Sequence, residues 1–138
     1  MQISWVLFAE NVVVNEQLQR IDILGEFRSV IADQVPYSIL KFYIICRAEA
    51  DARNHAAMPY RVTLRRPSDE LVELHNSDVS VTIPPHAGRV VGTLIAEIRD
   101  FEIKGLGRHT ITAKLGESVY GTDFMVVSQR TIANDTQE

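Results

Sequence analysis

The chain has 138 residues, a formal net charge of −4 and a sequence pI near 5.5. Hydrophobic residues at 46% and charged residues at 23% indicate an ordinary globular protein, which we expect to be one domain over residues 1–130 with a flexible polar tail over residues 131–138. The acidic balance argues against a nucleic-acid binder, and no apolar run approaches the length that spans a membrane.

The first half of the chain predicts three strands and one crossover loop. Residues 3–14 form the first strand, and the alternation over residues 19–27 predicts the second, with Gly25 at a bulge or a close approach of two backbones. Residues 28–38 are interpreted as a loop with room for one helical turn, because a proline inside them ends regular pairing. Residues 39–50 form the longest and most apolar strand.

The second half predicts hairpins joined by tight turns. Residues 60–65 alternate and return after a proline-initiated turn, residues 90–101 form a strand whose phase shifts near Asp100, and Gly116-Glu117 is a two-residue hairpin connection. About eight strands at near-regular spacing predict an all-β fold, an antiparallel β-sandwich of immunoglobulin-like or related topology. A closed barrel is the alternative.

Two runs are apolar on both faces of a strand, whereas the strands elsewhere mostly alternate apolar with polar residues. Residues 3–9 and 39–46 would be apolar on both faces of a sheet, so each needs a second cover from a loop, a helix or another protein chain. Residues 28–38 are the obvious cover within the chain. If another chain supplies the cover, an apolar interface is expected here, although the pattern leaves open which alternate set faces the core. The candidate interface residues are Trp5, Val6, Phe8, Tyr43 and Ile45.

No catalytic, metal or cofactor site is predicted. The four histidines lack metal-ligand spacing, and His109 faces inward by parity as a hydrogen-bonded core residue. Cys46 lies in a run that predicts burial, where a thiol stays protonated and unreactive. The densest basic cluster, Arg61, Arg65 and Arg66, is interpreted as a solvated outer face rather than a phosphate site.

Three segments resemble a known family: Phe8-Ala-Glu-Asn11, Ile23-Leu-Gly-Glu-Phe27, and Val35-Pro36 before the apolar strand. A final hairpin, Gly107 to Gly116, completes the resemblance to short bacterial and phage proteins known only as a domain of unknown function. The resemblance covers roughly residues 3–127. It implies a β-sandwich and brings no substrate, cofactor or catalytic residue.

These observations favour a non-enzymatic protein-interaction module that self-associates or docks on a larger assembly, with a homo-oligomer expected. The single cysteine and the absence of a charged leader favour a cytoplasmic protein of a bacterium or of a virus of one. The alternative is a small-ligand or carbohydrate binder that uses loops 51–58, 84–89 and 104–108 at one end of the sandwich. The candidate ligand residues are His55, His86, Arg89 and Arg108.

Overall fold

A computed structural model describes residues 1–51, 57–80 and 88–128. These residues form nine strands: β1 (Gln2–Asn15), β2 (Arg20–Glu26), β3 (Ser29–Ile31), β4 (Tyr37–Asp51), β5 (Met58–Arg65), β6 (Leu71–Val79), β7 (Arg89–Ile103), β8 (Gly107–Leu115) and β9 (Ser118–Val127). No helix in the described ranges is long and apolar enough to cross a membrane. The tail predicted over residues 131–138 lies outside the described residues.

The strands form two sheets that pack face to face. The four-stranded sheet has the order β2-β1-β4-β7, and the five-stranded sheet has the order β3-β9-β8-β5-β6. This confirms the predicted β-sandwich, with nine strands in place of about eight; the immunoglobulin-like topology stays a prediction. The additional strand, β3, lies in the predicted loop and pairs in parallel with β9 through Val30 and Val126. Sequence patterns miss such a strand because three residues show no period.

The core between the sheets is rich in aromatic side chains, since all five phenylalanines of the chain lie in it or against it. The Phe27 ring lies 6.0 Å from that of Phe8, 5.9 Å from that of Phe42 and 6.4 Å from that of Phe124. The amide of Ile3 also donates a hydrogen bond of 3.0 Å to Ser118 Oγ, which ties the first strand to the opposite sheet. These contacts fix the relative position of the sheets.

A bulge near the start of β1 decides which side chains face the core. Ile3 pairs with Ala48 of β4 while Trp5 pairs with Arg47, so Ser4 is an extra residue. As a result, Val6 and Phe8 are 4% and 2% exposed and lie in the core, whereas Trp5 points to the opposite face. The expectation that Val6 and Phe8 belong to a surface patch is therefore wrong.

Gly25 in β2 has a left-handed backbone conformation, and the nearest atoms belong to the Glu10 side chain, whereas the sequence predicted a bulge or a close approach of two backbones. The φ of Gly25 is +68°, and a Cβ placed there would lie 2.9 Å from Glu10 Oε2. A residue with a side chain would be strained in this backbone region. Beyond Ala9, the rest of the hairpin bends toward one face of the four-stranded sheet.

Candidate interaction surface

The outer face of the four-stranded sheet, the face turned away from the five-stranded sheet, carries three rows of side chains. The strand registers place Trp5 beside Arg47 and Thr93, then Leu7 beside Ile45 and Ile95, then Ala9 beside Tyr43 and Glu97. Because paired residues in a ladder point to the same side, each row crosses β1, β4 and β7. The two apolar runs of the sequence therefore lie next to each other on this face.

The β1–β2 hairpin curls over this outer face. Val14, Ile21 and Ile23 of the hairpin line one groove together with Trp5, Arg47, Val91 and Thr93 of the sheet. Asn15, Glu16, Gln19 and Arg20 at the hairpin tip complete the lining. The groove has a volume of about 730 Å³, which lies within the range of small-molecule and peptide pockets.

Ile45 shows that the second cover comes from the chain itself. It is fully buried, although it lies on the outer face and outside the core cluster between the sheets. Ala9, on the same face, is also fully buried. The prediction of Ile45 as a free interface residue is therefore wrong, and the hairpin, not residues 28–38, lines the groove on this face beside Trp5 and Arg47.

Trp5 and Tyr43 remain partly accessible on the outer face, as the predicted interface requires. The Arg47 guanidinium lies over the Trp5 ring at 5.9 Å from its centroid. The Tyr43 hydroxyl donates to Glu97 Oε1 at 3.4 Å, and Lys41 Nζ lies 5.7 Å from the Tyr43 ring. Among the described residues, Arg47 has no carboxylate within ion-pair distance, so its charge is balanced only by the aromatic face.

Strand β7 forms the edge of the four-stranded sheet next to this groove. It is 15 residues long and, among the described strands, pairs only with β4. Val91 and Ile95 on its outer face are 46% and 36% exposed. Proteins usually protect such edges with lysine, proline or a bulge. The sequence of β7 contains neither lysine nor proline, and its irregular residue, Asp100 with a φ of +52°, lies near its end.

The remaining sheet edges are less open to pairing. Strand β3 has three residues, and β2 carries the positive φ of Gly25. In β6, the register shifts opposite Val62 and Thr63, which leaves Leu74 without a paired residue. Of these four edges, β7 therefore offers the longest regular template for another strand.

The residues of the alternative ligand site do not come together. Arg89 begins β7 and forms an ion pair with Glu49 at 2.9 Å, whereas Arg108 is the second residue of β8, beyond the opposite end of β7, and lies 3.6 Å from Asp123. The length of β7 therefore separates Arg89 from Arg108, while most of the predicted loop over residues 84–89 lies outside the described residues. His55 and His86 lie outside the described residues.

The interior holds polar groups that are arranged for structure. His109 is fully buried, donates from Nδ1 to the Gly107 carbonyl at 3.1 Å and stacks on Phe124 at 5.0 Å, as the sequence predicted. Burial lowers the pKa of His109, the bond to Gly107 raises it, and the nearby Arg66 lowers it. Burial likewise raises the pKa of the Cys46 thiol, which the sequence placed in the interior. In the described ranges, no three potential metal ligands lie together.

Arg66 is the polar residue that the sequence interpretation misplaced. Arg66 is 7% exposed, and its guanidinium lies over the Phe101 ring at 5.2 Å from the ring centroid. It donates hydrogen bonds from Nε to Glu70 Oε1 at 2.7 Å and from Nη1 to the Glu102 carbonyl at 2.6 Å. It borders a cleft of about 510 Å³ between β6 and β7, where Lys104 also reaches Glu70 at 3.6 Å. These charges satisfy one another. Nothing in the local pattern distinguishes Arg66 from the exposed Arg65, since Phe101 and the Glu102 carbonyl, which bury Arg66, lie on the distant strand β7.

Comparisons with known proteins identify a family and no activity. The profile of a family of unknown function, DUF6941, matches residues 4–126, which confirms the resemblance expected over residues 3–127. No curated protein matches the chain. One similar solved structure is Pseudomonas fluorescens alkylpurine DNA glycosylase AlkC bound to DNA containing an abasic site analog, with 9% identity and a TM-score of 0.43. The match covers 88% of this chain but 30% of the glycosylase, and at this TM-score it carries no argument about function.

Proposed function

The chain belongs to DUF6941, a family of unknown function, and we propose that it is a non-enzymatic interaction module that assembles with a second copy of itself through β7. The observation that carries the proposal is the free, regular edge of β7, with Val91 and Ile95 exposed along it. Antiparallel pairing of two β7 strands would join two four-stranded sheets into one sheet of eight strands. A two-fold dimer of this kind is closed, so both free edges are used.

The charges of β7 favour a register centred on Thr93 for this pairing. In an antiparallel ladder paired residues share a face, so the two-fold axis must pass through a residue that pairs with its own copy. With Thr93 on the axis, Val91 pairs with Ile95 and Arg89 pairs with Glu97, and each pair occurs twice. Moving the axis to Leu94 places Arg89 opposite Arg99, two like charges. The register centred on Thr93 therefore matches apolar with apolar and positive with negative.

Charge reversal tests this register directly. Sedimentation velocity over a concentration series should show the wild-type chain passing from 15.6 kDa to twice that mass. Arg89→Glu and Glu97→Arg each place two pairs of like charges across the axis, so each variant should dimerise about tenfold or more weakly. Residues 89 and 97 lie eight positions apart in one strand, roughly 27 Å, and cannot pair within one chain. Restored dimerisation in the double variant R89E/E97R would therefore report a contact between chains.

A mixture of the two single variants tests the two-fold symmetric interface further, because a misfolded variant would not form the mixed dimer. A mixture of the Arg89→Glu chain and the Glu97→Arg chain should form a mixed dimer, because every Glu then faces an Arg. Lys114→Glu is the matched control: it makes the same charge change on an exposed residue of β8, in the other sheet, and should dimerise like the wild type. A wild-type chain that stays monomeric at millimolar concentration, or single variants that dimerise as well as the wild type, would overturn the proposal.

A further inference from the structure

We propose that the groove between the β1–β2 hairpin and the outer face of the sheet binds an extended peptide segment that carries an aliphatic side chain beside a carboxylate. The groove is formed within one chain, so this inference does not depend on pairing through β7. It assigns a ligand class to a concave surface of about 730 Å³ that combines the aliphatic side chains of Val14, Ile21, Ile23 and Val91 with polar residues and contains Trp5 and Arg47.

The charges that line the groove favour an acidic ligand. Arg20 is already paired with Asp22, since its Nε lies 3.1 Å from Oδ1 and its Nη2 lies 3.1 Å from Oδ2. Arg47 is different: it is exposed, and within the described chain its recorded partner is the Trp5 ring. Glu16 is the acidic member of the lining, lies at the hairpin tip and, within the described residues, forms no ion pair with Arg47. A guanidinium that stacks on an aromatic ring still presents its N–H groups in its plane, where a carboxylate can accept two of them.

The walls of the groove favour a side chain of limited polarity next to that carboxylate. Ile21 and Ile23 are half-buried on the hairpin, and Val14 and Val91 are 55% and 46% exposed. An aliphatic side chain between these walls would remove apolar surface from water on both partners. Trp5 adds an amphipathic ring, and tryptophan and arginine are the residues most often found at the energetic centre of protein interfaces. An extended peptide presents successive side chains to opposite sides, so an aliphatic and an acidic group two positions apart would enter the groove together.

Trp5 makes the proposal measurable, because it is the only tryptophan of the chain. We would titrate the folded protein with a short capped peptide in which valine and glutamate lie two positions apart, with serine between them, and follow Trp5 emission. The same peptide with glutamine in place of glutamate tests the role of charge. The glutamate peptide should give a saturable shift of emission, and the glutamine peptide should bind at least about tenfold more weakly.

Two variants separate recognition from general effects of charge. Arg47→Gln should remove the preference for glutamate while Trp5 emission still responds to both peptides at high concentration. Arg28→Gln is the matched control, because Arg28 is another exposed arginine with no recorded carboxylate partner in the described ranges and lies outside the groove lining. It should keep the wild-type preference. Equal binding of the two peptides, no saturable response of Trp5, or an equal loss of preference in Arg28→Gln would each overturn the proposal.

Discussion

Truncation of Phe8 tests which side of β1 faces the core. Phe8 is 2% exposed, and its ring lies 5.6 Å from that of Phe124 and 6.0 Å from that of Phe27. Replacing a buried phenylalanine with alanine costs about 3–5 kcal/mol of the free energy of unfolding, because apolar contacts are lost and a cavity remains. The two ring contacts place Phe8→Ala in the upper part of that range. A domain of this size has a stability of about 5–15 kcal/mol, so the variant should lose a large fraction of it.

Trp5→Ala is the matched comparison, three positions away in the same strand. Trp5 lies on the outer face and contacts Arg47, so its truncation should cost about 1–2 kcal/mol. The assay is urea unfolding followed by far-ultraviolet circular dichroism, which reports all strands and does not depend on the tryptophan. The midpoint should fall strongly for Phe8→Ala and slightly for Trp5→Ala, with the denaturant slope unchanged. Equal losses, or a loss below about 1 kcal/mol for Phe8→Ala, would refute the assignment of the two faces.

Two further stability predictions concern the polar interior. Arg66→Met keeps packing against Phe101 but removes the hydrogen bonds to Glu70 and to the Glu102 carbonyl, so it should lower the free energy of unfolding in urea by about 1–3 kcal/mol. Arg65→Met, at an exposed position, should change that free energy by less than about 0.5 kcal/mol. Similar losses in the two variants would contradict the role of Arg66. Burial lowers the pKa of His109 in the folded chain, so as the pH falls below about 6.5 this histidine is protonated in the unfolded chain before it is protonated in the folded chain. The free energy of unfolding should therefore decrease with falling pH, and His109 should contribute at most about 1.4 kcal/mol per pH unit to the decrease. In His109→Phe, urea unfolding curves measured between pH 7.5 and 5 should show a smaller decrease in the free energy of unfolding. An unchanged pH dependence would show that His109 does not contribute to this decrease.

The sequence alone determined much of the local structure, because alternation and turn chemistry act over a few residues. His109 lies inside the sandwich as its parity predicted, and Gly116 with its neighbour forms the two-residue turn between β8 and β9. The phase shift at Asp100, which has a positive φ between buried Ile98 and Phe101, was also readable from local pattern. The need for a second cover over the apolar runs followed from composition.

Only the tertiary structure decided where that cover lies and which side chains it leaves free. In residues 3–9 both alternate sets are apolar, so burial energy could not distinguish them, and the bulge at Ser4 placed Phe8 inside and Trp5 outside. Ile45 is fully buried on the outer face, and the β1–β2 hairpin shares a groove with Trp5 and Arg47 of the same face, an arrangement between segments that lie far apart in the chain. The free edge of β7 likewise depends on the order of strands in a sheet. Pairings between distant segments leave no period in the sequence, whereas the patterns that predicted the strands do.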